Sequence, residues 1–420
     1  MRLHRRTTVL AASLALALAA GPLAAPALAA ERPTGRSGAG SVDRATAGMT
    51  DRAAAESADG SVSGSAKDSA GSRRSASPPD AKALRAAIAG LPDADATSAL
   101  VRVGGTAGVW RGSSGVRDVE SGTPADPGAR FRAGSVTKVV TAATVLRLAA
   151  EGKVDLGAPV QRYLPGLLSR EFRPVTVRQL LNHTSGIRPG DGLRDTFEEQ
   201  YAHRYDTLTP REVVASAVAK GPEFRPGEGQ HYSNIGYTIL GLLIEEVTGR
   251  SYAAEATRLV LAPAGMRDTY LPGTDPRIAG PHNHGYQAVE NPDGTTELVD
   301  VTEWNQADRA AAGDMVSTTA DLERLITSLF RGRIVPRPQL EEMFTIPAGI
   351  EGATYTAGLQ RGELNGKVFW LKTGSRPGYS ALAGATRDLS RTLVYSITAT
   401  DAKGQGMNAV AQRVAMAAVR

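Results

Sequence analysis

Strand-like runs lie near both ends of this 420-residue chain, and a long stretch of helical patterning separates them. On the N-terminal side, Ala99–Val103 and Gly108–Trp110 flank Gly104-Gly105, a hairpin signal. On the C-terminal side the runs are Tyr355–Gln360, Lys367–Leu371, Tyr379–Ala385 and Thr392–Thr398, with Arg387-Asp388 as a turn. A sheet has to bury a face and pair its strands, so the simplest solution is a single sheet built from both ends of the chain. The helical middle is then an inserted lobe, about residues 140–345, and the fold class is α+β with an antiparallel sheet flanked by helices.

Local signals place several helices. Leu84, Ala87, Ile88 and Leu91 recur at helical spacing after Pro79-Asp80. Val139, Val140, Ala143, Leu146 and Ala149 mark a helix that Gly152 is placed to end. Thr176 opens a short helix through Leu181, and Thr209-Pro210-Arg211-Glu212 forms a capping box. Ile235–Val247 is strongly apolar and closes at Gly249, and Thr319–Phe330 ends at Gly332. A final amphipathic segment, Met407–Val419, is also expected to be helical.

The N-terminal region reads differently. Arg2, His4, Arg5 and Arg6 precede the apolar Val9–Ala20, and Ala27-Leu28-Ala29 supplies the small residues of a cleavage site. Residues 1–29 are expected to be a signal peptide, so the mature protein is expected to be secreted, by the general or the twin-arginine route. Residues 30–77 are mostly Ala, Gly, Ser, Asp and Arg without apolar periodicity, the composition of a linker or propeptide. Residues 78–420 remain as the folded domain. The formal charge of +5 falls to about +2 without Arg2, Arg5 and Arg6, too little to imply a nucleic-acid partner. The chain has no cysteine, which excludes a thiol nucleophile and a thiolate metal site. No later apolar run reaches spanning length, so no stable membrane span is expected after leader removal.

Three short motifs carry candidate chemistry. Ser135-Val-Thr-Lys138 sets a hydroxyl and an amine one helical turn apart, on one side of a helix start. A lysine can take the serine proton only when its amine is neutral, which burial or nearby positive charge provides. Tyr232-Ser233-Asn234 precedes an apolar helix; a phenol there can relay a proton if ammonium neighbours lower its pKa. Lys372-Thr373-Gly374-Ser375 ends a strand-like run, where Gly374 admits a close backbone and Lys372 can meet a carboxylate. Each motif alone also fits an ordinary cap, loop or strand end.

In this order and these contexts the three motifs resemble the serine β-lactamase and penicillin-binding protein superfamily. Tyr-Ser-Asn as the second element is similar to the class C-like branch, which includes secreted Streptomyces D-Ala-D-Ala carboxypeptidases and esterase and D-aminopeptidase relatives. The resemblance runs from about Pro79 to the C-terminus. Phe131–Lys138, Leu180–Gly186, Tyr232–Gly249 and Ala311–Thr318 add to it. It implies a β-lactamase/transpeptidase-like fold, with Ser135 as the acylated nucleophile and Lys138 as its proton partner. Tyr232 would be the general acid/base, Asn234 would hold the substrate amide, and Lys372 and Thr373 its carboxylate end. The backbone N–H groups of Ser135 and Ser375 would form the oxyanion hole, and Gly374 would let a substrate backbone approach the strand closely. No cofactor is implied. The partners implied are a peptidoglycan peptide or small acyl substrate, with β-lactams as covalent ligands.

Two departures bear on the subgroup. The carboxypeptidase group typically has His where this chain has Lys372, which makes the third motif closer to that of β-lactamases, and the absence of the Glu-x-x-Leu-Asn element disfavours the class A subgroup. The leading expectation is a D-alanyl-D-alanine carboxypeptidase-type serine hydrolase. The alternatives are a class C-like β-lactamase, a short-chain esterase, or a non-catalytic penicillin-binding protein. His183 is not part of a Gly-x-Ser-x-Gly elbow and is expected to be structural. His282-Asn283-His284 has metal-like spacing without a third ligand nearby.

Overall fold

In the computed structural model, residues 77–192, 196–404 and 406–420 are described; the leader and nearly all of the 30–77 segment lie outside them. Strands β1 (Ala96–Gly104) and β2 (Trp110–Gly115) form the N-terminal hairpin. Strands β3 (Phe131–Arg132), β4 (Tyr286–Glu290), β5 (Thr296–Asp300) and β6 (Val316–Ser317) fall in the middle of the chain. Strands β7 (Gln360–Leu364), β8 (Lys367–Arg376), β9 (Tyr379–Ala385) and β10 (Thr392–Ala399) follow. The main sheet has six strands in the order β2-β1-β10-β9-β8-β7, all neighbours antiparallel. Both ends of the chain therefore build one sheet, with the N-terminal β1 paired to the C-terminal β10 in its interior.

The pleat divides the sheet's side chains between two cores. Ala99, Val101, Val103, Leu393, Tyr395 and Ile397 pack with Leu84 and Ile88 of the first helix (Ala81–Ala87 and its cap) and with Val410 and Val414 of the last (Ala409–Ala418). Val394, Ala381, Ala383 and Ala385 face the opposite way, into the larger core shared with the helical lobe. Small side chains at three of these four positions let the lobe approach the sheet closely.

The helix Thr137–Ala150 runs through the middle of the lobe. Every residue from Thr137 to Leu146 is buried, so the helix is enclosed on all sides rather than amphipathic. Its buried hydroxyls are satisfied locally: Thr137 Oγ1 donates to Gly134 O at 2.7 Å and Thr144 Oγ1 to Val140 O at 2.8 Å. The helices at Thr176 and Thr209 carry full capping boxes, and Gly249 ends the helix Ile235–Thr248 in the left-handed conformation.

Two features differ from the sequence expectation. The segment expected to be helical contains the hairpin β4–β5 and the short pair β3–β6. The strand expected at Tyr355–Gln360 is a single bridge between those two residues, and the strand proper begins at Gln360. No helix among the described residues is long and apolar enough to cross a membrane.

Candidate active site

Ser135 sits in a single 3₁₀ turn, Gly134–Val136, which leads into the central helix rather than opening it directly. Gly134 has φ +51°, and a Cβ there would lie 2.5 Å from Ser375 N. A Cβ on Gly374 would lie 2.0 Å from Ala133 O and 2.9 Å from Ser135 N. The nucleophile's turn and strand β8 thus meet backbone to backbone, with a glycine on each side of the contact. The first and third motifs are adjacent because no side chain separates them.

Lys138 is fully buried, one turn along. Its Nζ lies 2.6 Å from Ala312 O, 2.7 Å from Asn234 Oδ1 and 3.2 Å from Ser135 Oγ. The first two atoms only accept, so the amine donates to both. The third is a hydroxyl that can donate in return, which matches a neutral amine with two N–H groups and one lone pair. Burial first, then the charges of Lys372, Arg309 and Lys403, push the Lys138 amine well below its ordinary pKa.

Tyr232 closes the chain: its hydroxyl donates to Ser135 Oγ at 2.7 Å. The ammonium positions of Lys138 and Lys372 lie 5.0 Å and 4.7 Å from its ring centroid. Even so, the phenol is pushed up, not down, because burial outweighs the hydrogen bond to Ser135 and the charge of Arg309. The expectation that neighbouring ammonium groups lower it is corrected here. Lys138, not Tyr232, is the group whose shift suits a base, and Tyr232 is held as a proton donor.

Asn234 immediately precedes the helix Ile235–Thr248, yet its side chain makes no capping bond. Its Oδ1 instead accepts from Lys138. Asn234 orients the lysine and has its Nδ2 to offer a substrate carbonyl. Lys372 is 4% exposed, donates to Thr373 O at 2.8 Å and forms no ion pair among the described residues. Burial pulls its amine down to about 7. Thr373 is half-buried beside it, and Ser375 Oγ donates to Ala402 O while its backbone oxygen accepts from Lys403 Nζ at 2.9 Å. Strand β7 pairs only with Lys367–Leu371, so from Lys372 to Arg376 strand β8 has β9 on one edge and no strand on the other.

Several contributors had little or no individual signal in the sequence. Ala312 acts through its carbonyl, presented by a loop in which Ala311 has φ +61°. His183, also left-handed at φ +63°, is buried with its ring centroid 4.7 Å from Tyr232, 5.2 Å from Tyr237 and 5.3 Å from Tyr355. Its Nδ1 accepts from Ser233 N at 3.3 Å, and burial above all pushes the ring well below its ordinary pKa, toward the neutral form. His183 is therefore a platform for Tyr232, in line with the structural role expected of it. His282 and His284 stack at 5.5 Å, His284 Nδ1 meets Asp300 Oδ2 at 2.7 Å, and no three metal-ligating side chains gather among the described residues.

Asp314 braces the same loop, its Oδ1 accepting from Ala311 N at 3.2 Å, and burial raises its carboxyl to about 7. A carboxyl that is more basic folded than unfolded binds its proton preferentially in the native state. Its stabilising contribution is full below the unfolded value of 3.8 and is lost as pH rises through about 7. Asp314→Asn keeps the acceptor and removes the titration. Its melting temperature is expected to exceed wild type above pH 7 and to converge with it in acid; equal pH dependence in both proteins would refute this.

A family model described as Beta-lactamase matches residues 84–416. The chain belongs to the beta-lactamase family. Among curated relatives of this beta-lactamase family chain, Esterase EstB of Burkholderia gladioli is 35% identical over 204 residues, covering 42% of this chain and 47% of that protein. Penicillin-binding protein 4* of Bacillus subtilis is 28% identical over 303 residues, 68% of this chain and 64% of that protein. The chain thus spans only about half to two thirds of the length of these relatives. A solved D-stereospecific amidohydrolase from Streptomyces sp. is 32% identical, covers 80% of this chain and 97% of its own, and superposes with a TM-score of 0.69. These matches place the chain in the superfamily of serine hydrolases that includes esterases, amidases and penicillin-binding proteins, with the mixed fold of an antiparallel sheet flanked by helices.

Proposed function

We propose that the protein is an exported acyl-enzyme hydrolase of peptide bonds next to D-amino acids, of the D-alanyl-D-alanine carboxypeptidase type. The observation that carries the reaction type is the chain Tyr232 Oη–Ser135 Oγ–Lys138 Nζ, with its 2.7 Å and 3.2 Å links. Ser135 Oγ attacks the scissile carbonyl as its proton passes to the neutral Lys138 amine, and the carbon–oxygen bond of the acyl-enzyme forms. The departing amine takes a proton from Tyr232, whose buried phenol keeps it until then. Water then attacks the ester and gives a proton to the Tyr232 phenolate left by the departing amine, while Ser135 Oγ takes back the proton held on Lys138 as the carbon–oxygen bond breaks and the acid is released. An amine leaving group needs such a donor more than an alkoxide does, which favours amides over the esters suggested by the likeness to EstB.

The carboxypeptidase assignment rests on Lys372, a buried cation beside Tyr232 at the open edge of β8. It suits a leaving group that ends in a carboxylate. The solved amidohydrolase supports D-configured substrates, and the leader motif supports export. Turnover of a D-Ala-D-Ala peptide, nitrocefin and a short-chain nitrophenyl ester tests the assignment, with the secreted N-terminus read by mass spectrometry. Hydrolysis of the ester alone would overturn it. Because Lys372 loses its charge above about 7, the KM for a peptide ending in a carboxylate is expected to rise with alkaline pH. The KM for the matching C-terminal amide is expected to stay level; parallel profiles would remove Lys372 from carboxylate binding.

A further inference from the structure

The charged groups around Ser135 differ between its two sides. Ser135 lies against Gly374, and Lys372 and Arg376 sit two residues either side of that glycine on the same pleat. Each is about 7 Å along the strand from it, at 3.3 Å per residue. The Lys372 side carries Tyr232, the donor to the leaving group, so the acyl half of a substrate lies toward Arg376. This orientation rests on the acyl-enzyme reading above.

The Arg376 side holds a loosely compensated positive cluster. Arg376 is 4% exposed; its Nη2 is 3.5 Å from Asp308 Oδ1, and its Nε is buried without a partner. Arg309 Nε is also 3.5 Å from Asp308, at Oδ2. Arg309 adjoins the nucleophile's turn: a Cβ on Gly313 would lie 3.5 Å from Arg309 Cβ and 3.7 Å from Gly134 C. Lys403 Nζ donates to Ser375 O at 2.9 Å, and burial with the charges of Arg376 and Arg309 pulls its amine down to about 7, so it adds its full charge below neutrality. Formed guanidinium–carboxylate bonds run about 2.7–2.9 Å, so at 3.5 Å Asp308 holds both arginines only loosely. The other carboxyl near them, Asp314, is buried and held toward its neutral form.

We propose that Arg309, Arg376 and Lys403 form a subsite for a carboxylate carried by the acyl half of the substrate, and that this subsite rejects an acyl half bearing an ammonium. An anion bridging Arg309 and Lys403 would supply closer acceptors than Asp308 does. An amino acid amide, whose acyl half carries an amino group, would be the disfavoured case.

Three nitrophenyl esters of equal chain length test this on the full-length protein: the hydrogen adipate, the neutral hexanoate and the 6-ammoniohexanoate. The adipate is expected to exceed the ammonio ester in kcat/KM by about tenfold or more, mainly through KM, with the hexanoate between them. Arg309→Gln and Lys403→Gln should each shrink the adipate-to-hexanoate ratio, and Arg309→Lys should restore part of it. Using the ratio cancels any effect of these charges on Lys138. Equal rates for the three esters, or a ratio unchanged in both glutamine variants, would overturn the subsite. No turnover of any ester together with no fluorophosphonate labelling of Ser135 would instead overturn the acyl-enzyme reading, and the subsite with it.

Discussion

Lys138→Ala is expected to lower kcat/KM on any substrate by about 10³-fold, within the range attributed to a positioned general base. The loss should fall on the acylation step, visible as slow labelling of Ser135 by a penicillin or fluorophosphonate while the protein remains folded by circular dichroism. Lys138→Arg is the sharper variant. A guanidinium can still donate to Asn234 Oδ1 and Ala312 O, but it remains protonated and has no lone pair for the serine proton. If positioning were all that Lys138 supplies, arginine would recover activity; recovery to within a few-fold would refute its role as base. The pH profile carries the same information. Wild-type acylation should fall as pH drops through the depressed pKa of the lysine and level off above it, at a pH well below that of an ordinary lysine.

Gly374→Val is expected to be the most damaging substitution outside the relay itself. The space a Cβ would need is occupied by backbone, Ala133 O at 2.0 Å and Ser135 N at 2.9 Å, so no side chain can rotate away to admit it. Either β8 shifts outward or the Ser135 turn does. Overpacking of this kind costs roughly 1–3 kcal/mol, which a fold with these two cores can survive. The catalytic cost is larger, because a displacement of about 1 Å at a reacting atom can lose 10²-fold. A folded Gly374→Val protein with wild-type labelling of Ser135 would show that the contact does not position the nucleophile. Gly366, a positive-φ turn glycine with open space around its missing Cβ, is the contrasting case, where valine brings backbone strain without a steric clash.

The sheet's origin in both chain ends was legible because β1, β8, β9 and β10 are runs of β-branched and apolar residues bounded by turn residues. Helix starts at Thr176 and Thr209 were legible because capping is local chemistry. The hairpin β4–β5 was not recognised, although Asn291-Pro292-Asp293-Gly294 between its strands is a turn signal; its largely exposed strands lack a dominant apolar face. In the site, the side chains of Ser135, Lys138, Tyr232 and Asn234 come together as their motifs suggested. The carbonyl of Ala312 could not be read, since any residue supplies one. Arg309 depended on a loop fold that spacing does not encode. The direction of the Tyr232 shift was missed because sequence shows the ammonium neighbours but not the depth of burial.

The pairing of β1 with β10 has a consequence for how the protein comes into being. Ser98 pairs with Thr398, 300 positions away in sequence. A chain emerging from a ribosome or a translocation pore can form the lobe's local helices early, but it cannot close its sheet until the last strand has arrived. The face of β8 that meets the Ser135 turn comes late for the same reason. The nucleophile is present in the first third of the polypeptide, while the surface that aims it is made in the last. Any nascent or C-terminally truncated form therefore carries the serine without the enzyme.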